Sequence, residues 1–71
     1  MEKFHEACRL VVKNQTAKAL NYCVNYAKYG LEVSDESEAK VQALYVLSNM
    51  THWRGDDAKR ARQLLKEFTK N

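Results

Sequence analysis

A chain of 71 residues with a formal net charge of +3 has room for one domain and one small hydrophobic core. Proline is absent, and glycine occurs only at Gly30 and Gly55, so little interrupts helix formation. No apolar run approaches the roughly 18 residues of a membrane span, so we expect neither a membrane-spanning helix nor a membrane partner. The prediction is a single all-α domain over residues 1–71.

Cysteine usage indicates the compartment. Cys8 and Cys23 are the only cysteines, and no apolar run at the N-terminus is long enough for a secretory signal. We therefore expect a reduced, cytoplasmic protein with two small buried thiols rather than a disulfide.

Charge is distributed unevenly along the chain. Residues 1–30 carry five basic and two acidic side chains, residues 31–53 one basic and four acidic, and residues 54–71 six basic and three acidic. An acidic belt thus lies between two basic ends. This pattern falls short of the dense positive stripe that is typical of nucleic-acid-binding proteins.

The first predicted helix covers Glu2–Lys13. Its apolar residues recur at i, i+3, i+4 and i+7, namely Phe4, Ala7, Cys8 and Val11. Continuing this helix would move Leu20 to the opposite face, so the chain is expected to break or bend, with Asn14 or Thr16 as N-cap of the next helix.

The second predicted helix covers Ala17–Tyr29 and ends with Gly30 as its C′ residue. Its core-facing stripe is Ala17, Leu20, Cys23, Val24 and Ala27. On the opposite side lie Tyr22, Tyr26 and Tyr29. These rings either pack against the first helix with wet hydroxyls or form a contact patch, since tyrosine is enriched at interface hot spots.

The third predicted helix, Glu36–Trp53, is apolar on two sides. Asp35 and Glu38 have capping-box spacing and mark its start. One arc holds Ala39, Ala43, Leu44, Val46, Leu47 and Met50, and a second stripe holds Val41, Tyr45 and His52. Such a helix is expected to be central. The second stripe would be covered by this chain, by a second copy or by another protein.

The last predicted helix runs from Asp57 to about Thr69 and follows a turn at Gly55 with Asp56 as cap. One face carries Ala58, Ala61, Leu64, Leu65 and Phe68. The third and fourth helices are expected to form an antiparallel helical hairpin.

A basic flank on the last helix offers a second candidate site. Its members are Lys59, Arg62 and Lys66, and Arg54 and Lys70 are candidates to join them. They could bind a phosphate backbone or an acidic protein, or they could be the solvated side of an amphipathic helix. A DNA-reading helix-turn-helix is disfavoured, because phosphate would repel the carboxylates at the helix start.

No motif indicates catalysis or a cofactor. There is no glycine-rich phosphate loop or nucleophile motif. His5 and Cys8 have metal-ligand spacing, but no second close pair accompanies them. The prediction is a non-enzymatic protein without a metal ion.

Residues 44–68, LYVLSNMTHWRGDDAKRARQLLKEF, resemble small all-helical proteins encoded by bacteriophages and prophages, chiefly at the WRG turn. The resemblance implies a cofactor-free protein that works by binding, often to a host protein. It supplies no catalytic residues.

Together these patterns predict a small bundle of three to four helices that acts as a protein-interaction module and could form a homodimer. The candidate contact residues are Tyr22, Tyr26, Tyr29, Val41, Tyr45, His52, Trp53 and Arg54. Trp53 would anchor a partner, stack on a base or close one end of the core. The alternative is nucleic-acid binding through Arg54, Lys59, Arg62 and Lys66.

Overall fold

The computed structural model describes residues 1–70 and confirms an all-α bundle. Its four α-helices are α1 (Glu2–Lys13), α2 (Val24–Gly30), α3 (Glu36–Ser48) and α4 (Asp56–Thr69), with a 3₁₀ turn at Lys18–Leu20. None of the helices in this part of the chain has the length and apolar character that crossing a bilayer requires.

Each helix packs against its neighbours in a closed ring, α1 to α2, α2 to α3, α3 to α4 and α4 back to α1. Ion pairs show that α1 and α4 are antiparallel. Lys3 Nζ lies 2.9 Å from a carboxylate oxygen of Glu67, and Lys13 Nζ lies 3.7 Å from Asp57. Because all four side chains are partly or largely exposed, these pairs orient the helices without adding much stability.

The core is built largely from small side chains. Besides Phe4, Leu20, Met50, Trp53 and Leu65, it contains six fully buried alanines at positions 7, 27, 39, 43, 58 and 61. Alanine lets helix axes approach closely, and it leaves little volume between them. Large apolar residues beyond those already inside must therefore lie on the surface.

The second helix is shorter than predicted. A 3₁₀ turn at Lys18–Leu20 and a turn at 21–23 precede α2, which begins only at Val24. Residues three apart eclipse one another in a 3₁₀ turn, so Leu20 and Cys23 both reach the core, where each is fully buried. Tyr22 is left on the outside of this turn.

Asn14 was expected to begin the second helix, and it instead ends the first. Its Nδ2 donates to the carbonyl of Leu10 at 2.8 Å and to a carboxylate oxygen of Asp57 at 3.0 Å. The 3₁₀ turn has Ala17 at its N-cap and no side-chain cap, so the prediction of Asn14 or Thr16 is wrong.

Gly30 also has a different role from the one predicted. It is the last residue of α2, is buried, and keeps a helical backbone rather than a left-handed one. A Cβ at this position would lie 2.7 Å from Cζ of Phe4 and 2.8 Å from Sγ of Cys8. Glycine is required here because α1 crosses α2 at this point.

The boundaries of α3 are partly as predicted. Asp35 is its N-cap and accepts a hydrogen bond from the amide of Glu38 at 3.0 Å. The helix ends at Ser48, five residues before Trp53, and residues 49–55 connect it to α4. The antiparallel hairpin is confirmed, with a longer connection than a single turn at Gly55.

The connection between α3 and α4 is fixed by an arginine of α4. Nη2 of Arg62 donates to the carbonyl of Met50 at 3.3 Å and to that of Trp53 at 3.0 Å. Gly55, with φ +113°, is the N-cap of α4, so Asp56 is already helical rather than a cap.

Candidate functional site

The outward side of α3 is apolar. Val41, Leu44 and Tyr45 are all about half exposed, while Ala39 and Ala43 on the inward side are fully buried. Surface helices normally present polar residues to solvent. Here the larger apolar side chains lie outside.

Leu44 was predicted to lie in the core, and this is wrong, because 54% of its surface is exposed. At 100° per residue, Leu44 lies about 60° from Val41 but about 140° from Ala39, so the helical period itself places it on the outward stripe. The prediction that Val41 and Tyr45 form a separate apolar surface is confirmed.

Two tyrosines of α2 extend this surface from α3 onto α2. The rings of Tyr26 and Tyr45 have centroids 5.2 Å apart and planes inclined by 33°. The hydroxyl of Tyr29 donates a hydrogen bond to Oε1 of Glu38. We call the surface formed by Tyr26, Tyr29, Val41, Leu44 and Tyr45 the α2–α3 face.

The prediction of a tyrosine edge away from the core is thus confirmed for Tyr26 and Tyr29, which contact α3 rather than α1. Tyr22 lies apart from the other two, in the turn before α2, with 80% of its surface exposed.

The α2–α3 face has an acidic end. Asp35, Glu36 and Glu38 lie at the N-terminus of α3, where the helix dipole favours negative charge. Glu38 raises the pKa of Tyr29, first by accepting its hydrogen bond and second through its own charge. Tyr29 is therefore a neutral hydrogen-bond donor at physiological pH.

Two further candidates lie beyond the end of α3. His52 and Arg54 are exposed in the connection to α4. His52 was expected on the same helical stripe as Val41 and Tyr45, and this is wrong because α3 has already ended at Ser48.

Trp53 is not available to a partner. Only 5% of its surface is exposed, and it packs in the core. Of the roles considered for it, closing the end of the core is the one found, and its use as an exposed contact or stacking residue is wrong.

The basic flank forms a second exposed surface. Lys59, Arg62, Lys66 and Lys70 line an open groove of 540 Å³ on α4, together with Gln63 and Glu67. Its lining comes from α4 and from Lys70, the residue that follows it. The Arg62 guanidinium already donates to two carbonyls. Glu67 is paired with Lys3, and hydrogen bonds from Lys3 and Gln63 lower the pKa of the Glu67 carboxyl.

The histidine and cysteines near the N-terminus have structural partners. His5 Nε2 donates to the carbonyl of Val33 at 2.9 Å. Cys8 and Cys23 are free, buried thiols, and burial raises their pKa values to about 12 and about 11. No group of three or more His, Cys, Asp or Glu side chains within residues 1–70 is arranged to hold a metal ion.

No family model, curated protein or solved structure matches this chain.

Proposed function

We propose that the protein is a small, non-enzymatic protein-interaction module whose contact surface is the α2–α3 face. The observation that carries this proposal is the outward projection of Val41, Leu44 and Tyr45 from a helix whose inward side is lined by alanine. Contiguous exposed apolar side chains favour association, because burying them removes apolar area from water.

The composition of the face supports a protein partner. Tyrosine combines a large apolar ring with a polar hydroxyl, and it is over-represented among residues that dominate binding energy. Tyr26 and Tyr45 restrain one another by ring contact, so less side-chain entropy is lost on binding. The resemblance of residues 44–68 to phage-encoded helical proteins adds a host protein to the candidate partners.

The proposal is tested by affinity capture from a lysate of the cells that express the protein. The test variant replaces Val41, Leu44 and Tyr45 together with serine. The matched control replaces the exposed Lys59 and Lys66 of α4 with serine. Circular dichroism establishes that both variants are folded.

We expect the control to retain the proteins captured by the wild type and the face variant to lose them. If the wild type and the face variant capture the same proteins in the same amounts, the α2–α3 face is not the contact surface.

A second candidate function, nucleic-acid binding, is favoured by the exposed lysines of the α4 groove. If three phosphate contacts form, raising the salt concentration from 50 to 200 mM should weaken binding roughly 40-fold. Association through the α2–α3 face would change little over this range, because its contacts are mainly apolar. Salt titration with single-stranded and duplex DNA separates the two functions, and the lysine double variant tests the groove directly.

A further inference from the structure

We propose that the α2–α3 face pairs with a second copy of this chain, with the two α3 helices antiparallel about a twofold axis. This inference rests on the proposed function, since it assigns a partner to the same face.

The spacing of outward residues on α3 suits pairing with an identical helix. Ser37, Val41, Leu44 and Ser48 follow one another at intervals of four, three and four residues, which is the spacing of a coiled-coil seam. The sequence of types along this seam, serine, apolar, apolar, serine, reads alike in both directions. A twofold axis perpendicular to the helix brings this surface against itself, so the apolar positions meet apolar positions and the serines meet serines.

Antiparallel pairing places each seam residue of one copy against a seam residue of similar type on the other copy. With the axis midway along the seam, Val41 of one copy lies against Leu44 of the other, and Ser37 lies against Ser48. Small serines at both ends allow the helices to approach closely. The flanking Tyr45 falls beside Glu38 of the second copy, where its hydroxyl can donate to a carboxylate.

Charge favours the antiparallel over the parallel arrangement. The N-terminal end of α3 carries Asp35, Glu36 and Glu38, and Arg54 lies exposed beyond its C-terminal end. Parallel helices would bring the two acidic ends together, and like charges at an interface are repulsive. Antiparallel helices place the two acidic ends at opposite ends of the seam and so avoid this repulsion.

Cysteine cross-linking tests the geometry. Ser37→Cys and Ser48→Cys are prepared separately, both at exposed positions, while the native thiols are buried. Antiparallel pairing predicts a disulfide-linked dimer when the two variants are mixed and oxidised. Neither variant should cross-link alone, because each new cysteine lies roughly 16 Å along the helix from its own symmetry mate.

Sedimentation velocity tests self-association directly. The mass of the wild type should rise toward that of two chains with increasing concentration. Leu44→Glu should hold the protein at one chain, because it places two carboxylates near the axis. Gln15→Glu, an equal change of charge at an exposed position away from the face, should leave association unchanged.

Dimerisation together with a cross-link only in the mixture supports the proposal. A cross-link of Ser48→Cys with itself, or a mass of one chain at every concentration, overturns it. A monomer that still captures another protein through the α2–α3 face refutes only the twofold pairing. If the protein is a monomer and the face variant captures the same proteins as the wild type, the proposed function is refuted as well.

Discussion

Tyr26 of α2 and Tyr45 of α3 lie with their ring centroids 5.2 Å apart, on the solvent side of the bundle. This pair joins two helices whose buried residues include the small Ala27 and Ala43. It also makes the exposed parts of both helices into one surface. The pair therefore has a structural role in addition to the proposed binding role.

We expect Tyr26→Ala and Tyr45→Ala to be coupled in their effects on stability. Tilted aromatic pairs contribute about 0.5–1.5 kcal/mol beyond the area they bury, and exposure places this pair at the lower end. A double-mutant cycle on the free energy of unfolding, measured by urea denaturation, gives the coupling. Tyr22→Ala with Tyr45→Ala serves as the control, and these two effects should be additive.

Gly30→Ala is expected to destabilise the fold. The new methyl group would contact the ring of Phe4 and the sulfur of Cys8, both fully buried. Overpacking costs about 1–3 kcal/mol, which outweighs the roughly 1 kcal/mol that alanine gains over glycine in a helix. Thermal unfolding measures the difference. Lys28→Ala, at an exposed site of α2, should change stability by less than about 0.5 kcal/mol. A stable Gly30→Ala protein would contradict the close crossing.

The buried thiols should make stability fall in alkaline solution. Burial raises the pKa of Cys8 to about 12 and that of Cys23 to about 11, from an ordinary value of 9.0. The native state therefore holds its thiol protons longer than the unfolded state. The stabilisation is complete below pH 9 and declines by about 1.4 kcal/mol per pH unit for each thiol until the folded pKa is passed.

Urea denaturation between pH 8 and pH 11 measures this decline, and Cys8→Ala should reduce its slope. In the same proteins, a thiol-reactive dye at pH 8 should label the cysteines only after unfolding. Rapid labelling of the folded protein would show that the thiols are accessible.

Arg62→Ala should lower stability by about 1.5–3 kcal/mol, because two carbonyls in the α3–α4 connection lose a charged donor. Fluorescence of Trp53, which lies in this connection, reports the transition in urea. Arg60→Ala is the control, since it removes an exposed ion pair with Glu6 and should cost at most about 1 kcal/mol. Equal effects of the two substitutions would exclude an anchoring role for Arg62.

The helical fold and most of its faces could be predicted from the sequence. The apolar period of Glu2–Lys13, the cap at Asp35 and the amphipathic α4 are local patterns, and local patterns determine helices of this length. The two-sided character of α3 was visible for the same reason.

Individual residues were harder to place than whole helices. Leu44 was misplaced because its hydrophobicity outweighed its angle, which lies about 140° from Ala39 and about 60° from Val41. Trp53 and Gly30 present a different difficulty. Their roles depend on which side chains of another helix pack against them. The hydrophobic periodicity of a single helix contains no information about those contacts.

The site could be predicted only in part. Four of the five side chains of the α2–α3 face were identified from the sequence. They are tyrosines and a valine on helix sides that face away from the predicted core, where polar residues are usual. The contact of Tyr26 with Tyr45 requires knowledge of which helices are neighbours. Arg62 was assigned to a basic surface because a sequence does not show that a cation already has acceptors.

Arg62 lines the α4 groove and also holds the connection that follows α3, because its Nη2 donates to the carbonyls of Met50 and Trp53. A polyanion that recruited this guanidinium would have to break both hydrogen bonds. That rupture would offset part of the binding free energy, so the lysines of the groove are better placed to meet phosphate than the arginine beside them.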